Sequence, residues 1–291
     1  MAASPPCLNA AVSQRRRSLD GRALPRVLAI GGSDSSCGAG VQADLQSIAA
    51  NGGQPVVAVT ALTAQYSRGV TASVPLDPAL VVAQVEAAYA DDGPAAVKTG
   101  MLANGATVEL LVRQFRATPP PILVVDPVIR SSSGAALLDE EGIEALCARL
   151  LPLASLVTPN VAEAEAIAGM HVLTLDDAKE AGRRILAMGA RAVLVKGGHL
   201  AAAPATDLLV TADGALGFAG AHFPGREVHG TGCAYASAIA THLAHGCALD
   251  QAVRAAKGYI EALIGTAVRV GPGALMADHV AAAQMVQEGA R

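Results

Sequence analysis

The chain has 291 residues, of which 52% are hydrophobic, 16% are charged and only 2% are aromatic. Nucleic-acid-binding proteins usually show a basic face or aromatic stacking platforms, and a net charge of −4 with no Trp leaves little for either. Gly, Pro and charged residues interrupt the apolar residues, so no run is long enough to span a bilayer. We therefore expect a soluble, aliphatic protein whose partners are neither nucleic acid nor membrane.

The cysteines and the two ends of the chain bear on location and domain limits. Five widely spaced cysteines without a C-x-x-C pair indicate neither a zinc site nor a disulfide framework, which fits a reducing cytoplasm. Residues 1–25 include Pro5, Pro6 and three consecutive arginines but no apolar segment of a secretory signal. We interpret them as a disordered tail or as residues upstream of a later natural start, and residues 281–291 as a C-terminal tail.

Between these ends, residues 26–280 alternate short apolar runs with Ala-rich segments of helical period, a pattern typical of one β-α-β-α domain. Most apolar runs are unbroken, as in strands buried on both faces of a parallel sheet. The predicted strands are 27–31, 55–62, 95–98, 122–125, 156–158 and 192–195, with an antiparallel edge hairpin at 206–210 and 215–219. The predicted helices are 41–51, 78–89, 103–116, 140–150, 161–169, 175–188, 231–245 and 249–267.

A Gly-rich stretch, residues 31–40, follows the first predicted strand. Ligands of an open parallel sheet bind beyond the carboxyl ends of its strands, and glycines before a helix expose N–H groups that attract anions. The stretch matches neither the dinucleotide-binding G-x-G-x-x-G nor the P-loop. A turn without any ligand is therefore an equal alternative.

Two polar residues follow later strands. Gln65 carries an amide whose acceptor and donors suit the edge of an aminopyrimidine, although a solvated loop glutamine has the same sequence signature. Asp126 ends an apolar run and precedes Pro127. Its carboxylate faces the ligand crevice or caps the next turn.

The next two strand ends carry an Asn-x-x-Glu pair and a lysine. Asn160 and Glu163 read first as the N-cap and third residue of a helix, a capping-box variant, which leaves room for a metal role. Lys196 is one of only four lysines, and its ammonium suits a phosphate. An exposed ion pair is the alternative.

The most informative stretch is residues 229–233, His-Gly-Thr-Gly-Cys, directly before a predicted helix. Two glycines at a helix N-terminus form a pocket of N–H groups able to stabilise a migrating phosphoryl group. Cys233 in the first turn is predicted to have its thiolate favoured by the positive helix end. A small buried hydrophobe is the alternative reading of this cysteine.

Seven motifs in order, from about residue 27 to residue 279, resemble the ribokinase-like superfamily and, within it, the hydroxymethylpyrimidine and phosphomethylpyrimidine kinases of thiamine biosynthesis. The motifs are Gly31-Gly32-Ser33-Asp34 with Gly38-Ala39-Gly40 and Gln42-Ala43-Asp44, Thr60-Ala61-Leu62-Thr63-Ala64-Gln65, Lys98-Thr99-Gly100-Met101-Leu102, Asp126-Pro127-Val128, Thr158-Pro159-Asn160 with Glu163-Ala164, Lys196-Gly197-Gly198-His199 and His229-Gly230-Thr231-Gly232-Cys233. The resemblance implies a three-layer α/β fold with a mostly parallel central sheet, helices on both faces and a small antiparallel edge hairpin.

The same resemblance implies an activity and its residues. The reaction is ATP-dependent phosphorylation of 4-amino-5-hydroxymethyl-2-methylpyrimidine and of its monophosphate, with Mg²⁺ bound without a dedicated all-protein site, in a homodimer. The implied substrate-binding residues are Gln65, Gly32, Asp44, Met101 and Val128. The implied catalytic residues are Cys233, Gly230, Thr231, Gly232 and Lys196, and Asp126, Asn160 and Glu163 are associated with ATP and Mg²⁺.

Three departures and three alternative functions qualify this expectation. Cys37, Tyr66 and Ala234 stand where the family usually has Gly, Asn and a small hydroxyl residue. Cys37 narrows the Gly-rich loop, and Ala234 removes a hydroxyl contact to phosphate or nucleotide. The alternatives are a pyridoxal or related vitamin kinase, a non-catalytic pyrimidine-binding protein, and a dinucleotide oxidoreductase, which the missing fingerprint disfavours.

Overall fold

A computed structural model describes residues 24–131, 134–198 and 205–289. The predicted N-terminal tail and His199 lie outside these residues, apart from residues 24 and 25. One sheet runs through the described part in the order β3-β2-β1-β4-β5-β6-β7-β8-β9. Its strands are β1 Arg26–Asp34, β2 Gln54–Tyr66, β3 Gly69–Pro75, β4 Ala96–Thr99, β5 Leu123–Val125, β6 Leu156–Val157, β7 Ala192–Val195, β8 Asp207–Thr211 and β9 Gly214–Phe218.

The sheet is parallel from β2 through β7 and antiparallel at both edges. This confirms the predicted mostly parallel sheet and the predicted edge hairpin, now β8 and β9. The opposite edge was missed, because β2 continues to Tyr66 and β3 returns beside it, opposing Leu62 with Val74. Most of β3 is exposed, so it lacks the apolar run that revealed the buried strands.

Helices cover both faces of the sheet, as predicted for a three-layer fold. They are α1 Gly40–Ala50, α2 Pro78–Ala90, α3 Gly105–Ala117, α4 Glu140–Ala145, α5 Val161–Ala168, α6 Leu175–Ala187, α7 Thr231–Ala244, α8 Leu249–Thr266 and α9 His279–Gly289. One core lies between the sheet and α2 to α6, and a second between the sheet and α1, α7 and α8. Successive β1 residues alternate between the cores, Leu28 in the first and Ala29 in the second.

Two helical segments differ from prediction. The predicted helix 140–150 ends as an α-helix at Ala145 and continues as a π-helical turn, Leu146–Leu150. The predicted C-terminal tail is helical instead, because Asp278 caps α9 by accepting from the Ala281 N–H at 2.9 Å and Ala282 is buried in the second core. Within the described ranges, no helix is long and apolar enough to cross a membrane.

The N-termini of α1 and α7 differ from those of α2 to α6 in their capping. Side chains of Asp77, Asn104, Asp139, Asn160 and Thr174 cap α2, α3, α4, α5 and α6. The α1, α7 and α8 N-termini have no side-chain cap, and α1 and α7 are the two that begin in the Gly-containing stretches 31–40 and 229–233. Their first-turn N–H groups have no partner within the helix either, so those that contact no other part of the chain are available to a ligand.

Candidate active site

The carboxyl ends of the parallel strands bring the predicted phosphate-side residues together. Lys196 follows β7, and its ammonium donates to Asp126 Oδ1, beyond β5, at 2.8 Å. Thr158, at the end of β6, donates to the same oxygen at 3.0 Å. A β-bridge pairs Asn160 with Lys196. Three neighbouring strand ends thus supply one contiguous polar cluster, which the strand-end argument predicted.

The Gly-rich stretch closes onto the start of α7. Gly230 has a left-handed φ of 79°, and a Cβ there would lie only 1.9 Å from the Gly38 carbonyl oxygen. The backbone N–H of Gly40, the first residue of α1, lies close enough to the Cys233 thiol to lower its pKa. The uncapped N-termini of α1 and α7 therefore meet at Cys233, and glycine is required where their loops touch.

Asp34 holds the Gly-rich stretch in shape and was not predicted as a site residue. Its carboxylate accepts from Ser36 N–H and Oγ at 2.8 Å and from Ala39 N–H at 2.7 Å. Burial alone would raise the pKa of Asp34, but hydrogen bonds from His229, Ser36 and Ala39 lower it below its ordinary value. Asp34 therefore stays ionised and fixes the loop that precedes α1.

The prediction that the Cys233 thiolate is favoured is wrong. Burial raises the pKa of Cys233 to about 11, although the Lys98 ammonium and the Gly40 N–H each lower it. Helix position was visible in the sequence, but the depth of burial was not. Cys233 is therefore a neutral thiol at neutral pH, between two uncapped helix ends.

Asp44, which the resemblance places in the pyrimidine pocket, is held in a buried ion pair. It is fully buried, and its oxygens accept from Lys98 Nζ at 2.8 and 2.9 Å and from Ser237 Oγ at 2.7 Å. Lys98 is also fully buried. Burial would lower the pKa of Lys98, but Asp44, Cys233 and Asp126 raise it, so Lys98 is a fixed positive charge near Cys233.

Lys196 reaches the start of α7, where Gly230, Thr231 and Gly232 form the predicted anion hole. Its Nζ would lie 3.4 Å from a Cβ placed on Gly232. Burial would lower the pKa of Lys196, but Asp126 and Glu163 raise it above its ordinary value. The start of α7 therefore combines free N–H groups with a permanent ammonium, which is a suitable environment for a phosphate.

Asn160 and Glu163 form the predicted capping box. The Asn160 side chain accepts from the Glu163 N–H at 2.9 Å, and Glu163 Oε2 accepts from the Asn160 N–H at 2.8 Å. Burial raises the pKa of Glu163 to about 7, although Lys196 opposes the shift. A helix cap alone does not require a carboxylate that is buried beside Asp126. Burying this carboxylate in its charged form costs free energy, and a nearby cation would reduce that cost.

No group of three or more His, Cys, Asp or Glu side chains suited to a metal occurs in the described ranges. Asp126 and Glu163 nevertheless fit Mg²⁺, because this ion is usually held by one or two carboxylates together with substrate phosphates.

The predicted substrate residues fall into separate contacts. A Cβ on Gly32 would lie 2.6 Å from Met101 Sδ, so these two residues pack directly. Val128 is half-buried just beyond β5. The Gln65 amide nitrogen lies 2.5 Å from His229 Nε2, which lies 3.2 Å from Asp34 Oδ2. Gln65, near the end of β2, is therefore linked through His229 to the Gly-rich stretch and to the start of α7.

Comparisons with known proteins identify the family of the chain. The family model described as phosphomethylpyrimidine kinase matches residues 34–278. The chain belongs to the phosphomethylpyrimidine kinase family. The predicted resemblance and enzyme class are thereby confirmed.

Individual members and relatives of that family extend the match. A thiamine biosynthesis bifunctional protein of Geobacter sulfurreducens is 41% identical over 90% of this chain, which spans only 54% of that protein. The crystal structure of a Clostridium difficile phosphomethylpyrimidine kinase is 40% identical, with a TM-score of 0.73 over 81% of this chain and 97% of its own. Pyridoxal kinase of Staphylococcus aureus, in complex with AMP-PCP and pyridoxal, is 31% identical, with a TM-score of 0.81 over 89% and 94%.

The departures from the family pattern differ in their surroundings. Cys37 is exposed and has a left-handed φ of 61°, a conformation that the usual Gly adopts without strain. Tyr66 is half-exposed at the end of β2. The Ala234 side chain is fully buried in the second core. A hydroxyl at position 234 would therefore meet core residues before any nucleotide.

Proposed function

We propose that this chain transfers the γ-phosphoryl group of ATP to the hydroxymethyl group of 4-amino-5-hydroxymethyl-2-methylpyrimidine, and then phosphorylates the monophosphate to the diphosphate. The observation that carries this proposal is the convergence of two uncapped helix N-termini and Lys196 on Cys233. Phosphoryl transfer passes through a loose transition state, so catalysis depends on positioning and charge neutralisation. The site supplies both.

Each part of the cluster has a role in that reaction. The N–H groups of Thr231, Gly232 and Cys233 stabilise the migrating phosphoryl group from one side, and Lys196 neutralises its charge from the other. The Cys233 side chain orients the substrate hydroxyl. Because a neutral thiol cannot take up a further proton, only the minor thiolate form of Cys233 accepts the hydroxyl proton, and it does so late in the transfer, when little base strength is required.

ATP and Mg²⁺ occupy the side of Lys196. Asp126 and Glu163 are the residues that would hold Mg²⁺, which neutralises phosphate charge when bound. The structural similarity to a pyridoxal kinase in complex with AMP-PCP supports nucleotide binding on this fold. Asn160 acts through Glu163, because their reciprocal hydrogen bonds fix that carboxylate.

Pyrimidine recognition lies at Gln65, Gly32, Met101 and Val128. The Gln65 amide matches the amino group and ring nitrogen of the pyrimidine edge, and the other residues give apolar walls and close backbone approach. Asp44 contributes indirectly, by holding Lys98. Calorimetry on Gln65→Ala tests this assignment: pyrimidine affinity falls if Gln65 binds the substrate, and unchanged affinity rejects it.

Cys233→Ala tests the thiol, with Cys147→Ala as a matched control, because Cys147 is a half-buried cysteine in the π-helical turn. We expect turnover to fall about 10²-fold for Cys233→Ala, the low end for a proton-accepting residue, with pyrimidine affinity retained. Wild-type turnover in Cys233→Ala would remove Cys233 from the mechanism.

A coupled ADP-release assay with hydroxymethylpyrimidine, its monophosphate and pyridoxal tests the proposed activity directly. The proposal predicts turnover of the first two substrates. Pyridoxal turnover alone would favour the alternative, a pyridoxal kinase, which the high structural similarity to the Staphylococcus aureus enzyme keeps relevant. If none of the three substrates causes ADP release, the result would favour a non-catalytic pyrimidine-binding protein.

The proposed homodimer is supported by an exposed apolar pair on the β2–β3 hairpin. Leu62 and Val74 lie directly opposite each other and are 53% and 60% exposed, and a buried partner surface would remove this apolar area from water. Sedimentation should show a dimer that Val74→Lys dissociates, whereas Val280→Lys, at a comparably exposed position on α9, leaves it intact. A wild-type monomer refutes the proposal.

The proposed cytoplasmic location is supported by the cysteines at positions 37, 147, 233 and 247, which are free thiols.

A further inference from the structure

A second buried charge cluster lies next to Lys196 and has no role in the reaction described above. Asp207, at the start of β8, accepts through Oδ1 from the Gly197 N–H at 3.0 Å. Its Oδ2 accepts from Tyr235 OH at 3.0 Å and from Lys257 Nζ at 2.7 Å. Asp207 and Tyr235 are each 5% exposed. One carboxylate thus joins the turn after β7, helix α7 and helix α8.

Two of the three donors connect the Lys196 side of the site to the anion hole at the start of α7. Gly197 is the next residue after Lys196, and Tyr235 lies two residues after Cys233 in the first turns of α7. Lys196 Nζ lies only 3.4 Å from a Cβ placed on Gly232. A small shift of the Gly197 turn away from α7 would therefore increase the distance between the Lys196 ammonium and the N–H groups at the start of α7. Asp207 is the shared contact that resists this shift.

Helix α8 anchors this cluster from outside the site. Lys257 also donates to the Ala205 carbonyl oxygen at 2.7 Å, and Glu261, one turn later, accepts from the Ala221 N–H at 2.9 Å. A Cβ on Gly220 would lie 2.3 Å from Glu261 Oε1. The segments that flank β8 and β9 are therefore fixed to the same helix.

Stability alone does not explain an ion pair in this position. Burying two charges costs desolvation free energy, and proteins with apolar side chains of similar volume in place of an ion pair are often as stable. An apolar cluster would, however, offer no acceptor to the Gly197 N–H and no directional contact to α7. The geometry therefore favours a positioning role.

We propose that Asp207, Tyr235 and Lys257 are positioning residues that set the distance between Lys196 and the α7 anion hole, and thereby the affinity for the nucleotide phosphates. This inference rests on the proposed nucleotide site but not on the identity of the phosphate acceptor. It predicts that damage to the cluster weakens nucleotide binding while pyrimidine binding, proposed at Gln65, Gly32, Met101 and Val128, is retained.

Tyr235→Phe tests the proposal, because it removes one hydroxyl and keeps the buried ring. Tyr259→Phe is the matched control: Tyr259 is equally buried, on α8, and its hydroxyl contacts His279 Nδ1 at 2.6 Å, away from the cluster. Calorimetry with ADP should show about tenfold weaker binding for Tyr235→Phe, the low end of the cost of losing a residue that orients a ligand-binding group. Tyr259→Phe should bind ADP like the wild type.

Steady-state kinetics give a second readout. The KM for ATP should rise about tenfold in Tyr235→Phe, with the KM for the pyrimidine unchanged. ADP affinity that is equal in Tyr235→Phe and Tyr259→Phe would overturn the positioning role. If Tyr235→Phe does not fold, Asp207→Asn, which preserves volume and one acceptor, carries the same expectation and the same refutation. A wild-type protein that binds ADP without phosphorylating any pyrimidine would reject the proposed function and leave this test valid.

Discussion

Gly230→Ala places a methyl group at the contact between the Gly-rich stretch and the anion hole. Gly230 has a φ of 79°, and its Cβ would meet the Gly38 carbonyl oxygen at 1.9 Å. Ordinary contact begins at 3.4 Å, so the two backbones must separate by about 1.5 Å. Both are main-chain segments, and no side-chain rotation relieves the overlap.

The expected magnitude has two parts. A left-handed conformation costs an L-residue about 1–2 kcal/mol, and this part lowers the free energy of unfolding. A displacement of about 1 Å in a positioned site costs about 10²-fold in rate. We therefore expect kcat/KM to fall at least about 10²-fold, beyond what partial unfolding explains.

Gly169→Ala is the matched control. Gly169 ends α5 with a φ of 63°, and nothing lies within 4 Å of its Cβ position. In urea unfolding it should show the destabilisation of about 1–2 kcal/mol that the left-handed conformation alone causes, and in the ADP-release assay it should have wild-type activity. If Gly230→Ala keeps activity within threefold of Gly169→Ala, the close contact between the two loops does not position the anion hole.

Three further predictions concern buried charge. Lys98→Met should cost about 3–5 kcal/mol in urea unfolding, because it leaves Asp44 buried without its cation, and the double variant Lys98→Met/Asp44→Leu should recover most of this loss; an equally unstable double variant would contradict it. Since burial raises the pKa of Glu163 to about 7, this carboxyl is protonated below that pH, and the apparent Mg²⁺ affinity in the activity assay should weaken about tenfold from pH 8 to pH 6. The same change of pH should leave Mg²⁺ affinity constant in Glu163→Gln, and a pH-independent wild type would exclude Glu163. Burial lowers the pKa of His279 to about 4, so below about pH 6.5 protons bind the unfolded chain preferentially and stability falls until about pH 4. Urea unfolding should show that His279→Gln loses about 2 kcal/mol less than the wild type between pH 8 and pH 5, and equal losses would show that His279 does not titrate in this way.

The buried strands were predictable because burial on both faces leaves an apolar run in the sequence. The β3 strand, mostly exposed, has no such run, and the apolar residues of the short α9 form only a weak helical face, so it does not stand out from a tail. The rule that ligands bind beyond parallel strand ends was sufficient to place Asp126 and Lys196 together. Most of the fold could therefore be predicted from the hydropathy pattern and from general rules of sheet topology.

The charge states and ion pairs of the site residues were harder to predict from the sequence. Asp44 is paired with Lys98, 54 residues away, and this pairing depends on how α1 packs against the sheet. The position of Cys233 in a first helical turn was legible, but the burial that raises its pKa depends on residues from several elements. Lysine scarcity pointed to Lys196; the same argument applied to Lys98 and Lys257 would have found two more buried cations.

The meeting of α1 and α7 at Cys233 also governs when the site comes into existence. Its two sides, the Gly38–Gly40 backbone and the start of α7, are separated by about 190 residues of chain, and every parallel strand after β1 lies between them. A fragment that ends before α7 has the Gly-rich stretch but nothing to close it. The site is therefore completed only when the chain is almost fully folded, and phosphate binding by these two backbones reports on long-range assembly, not on any local segment.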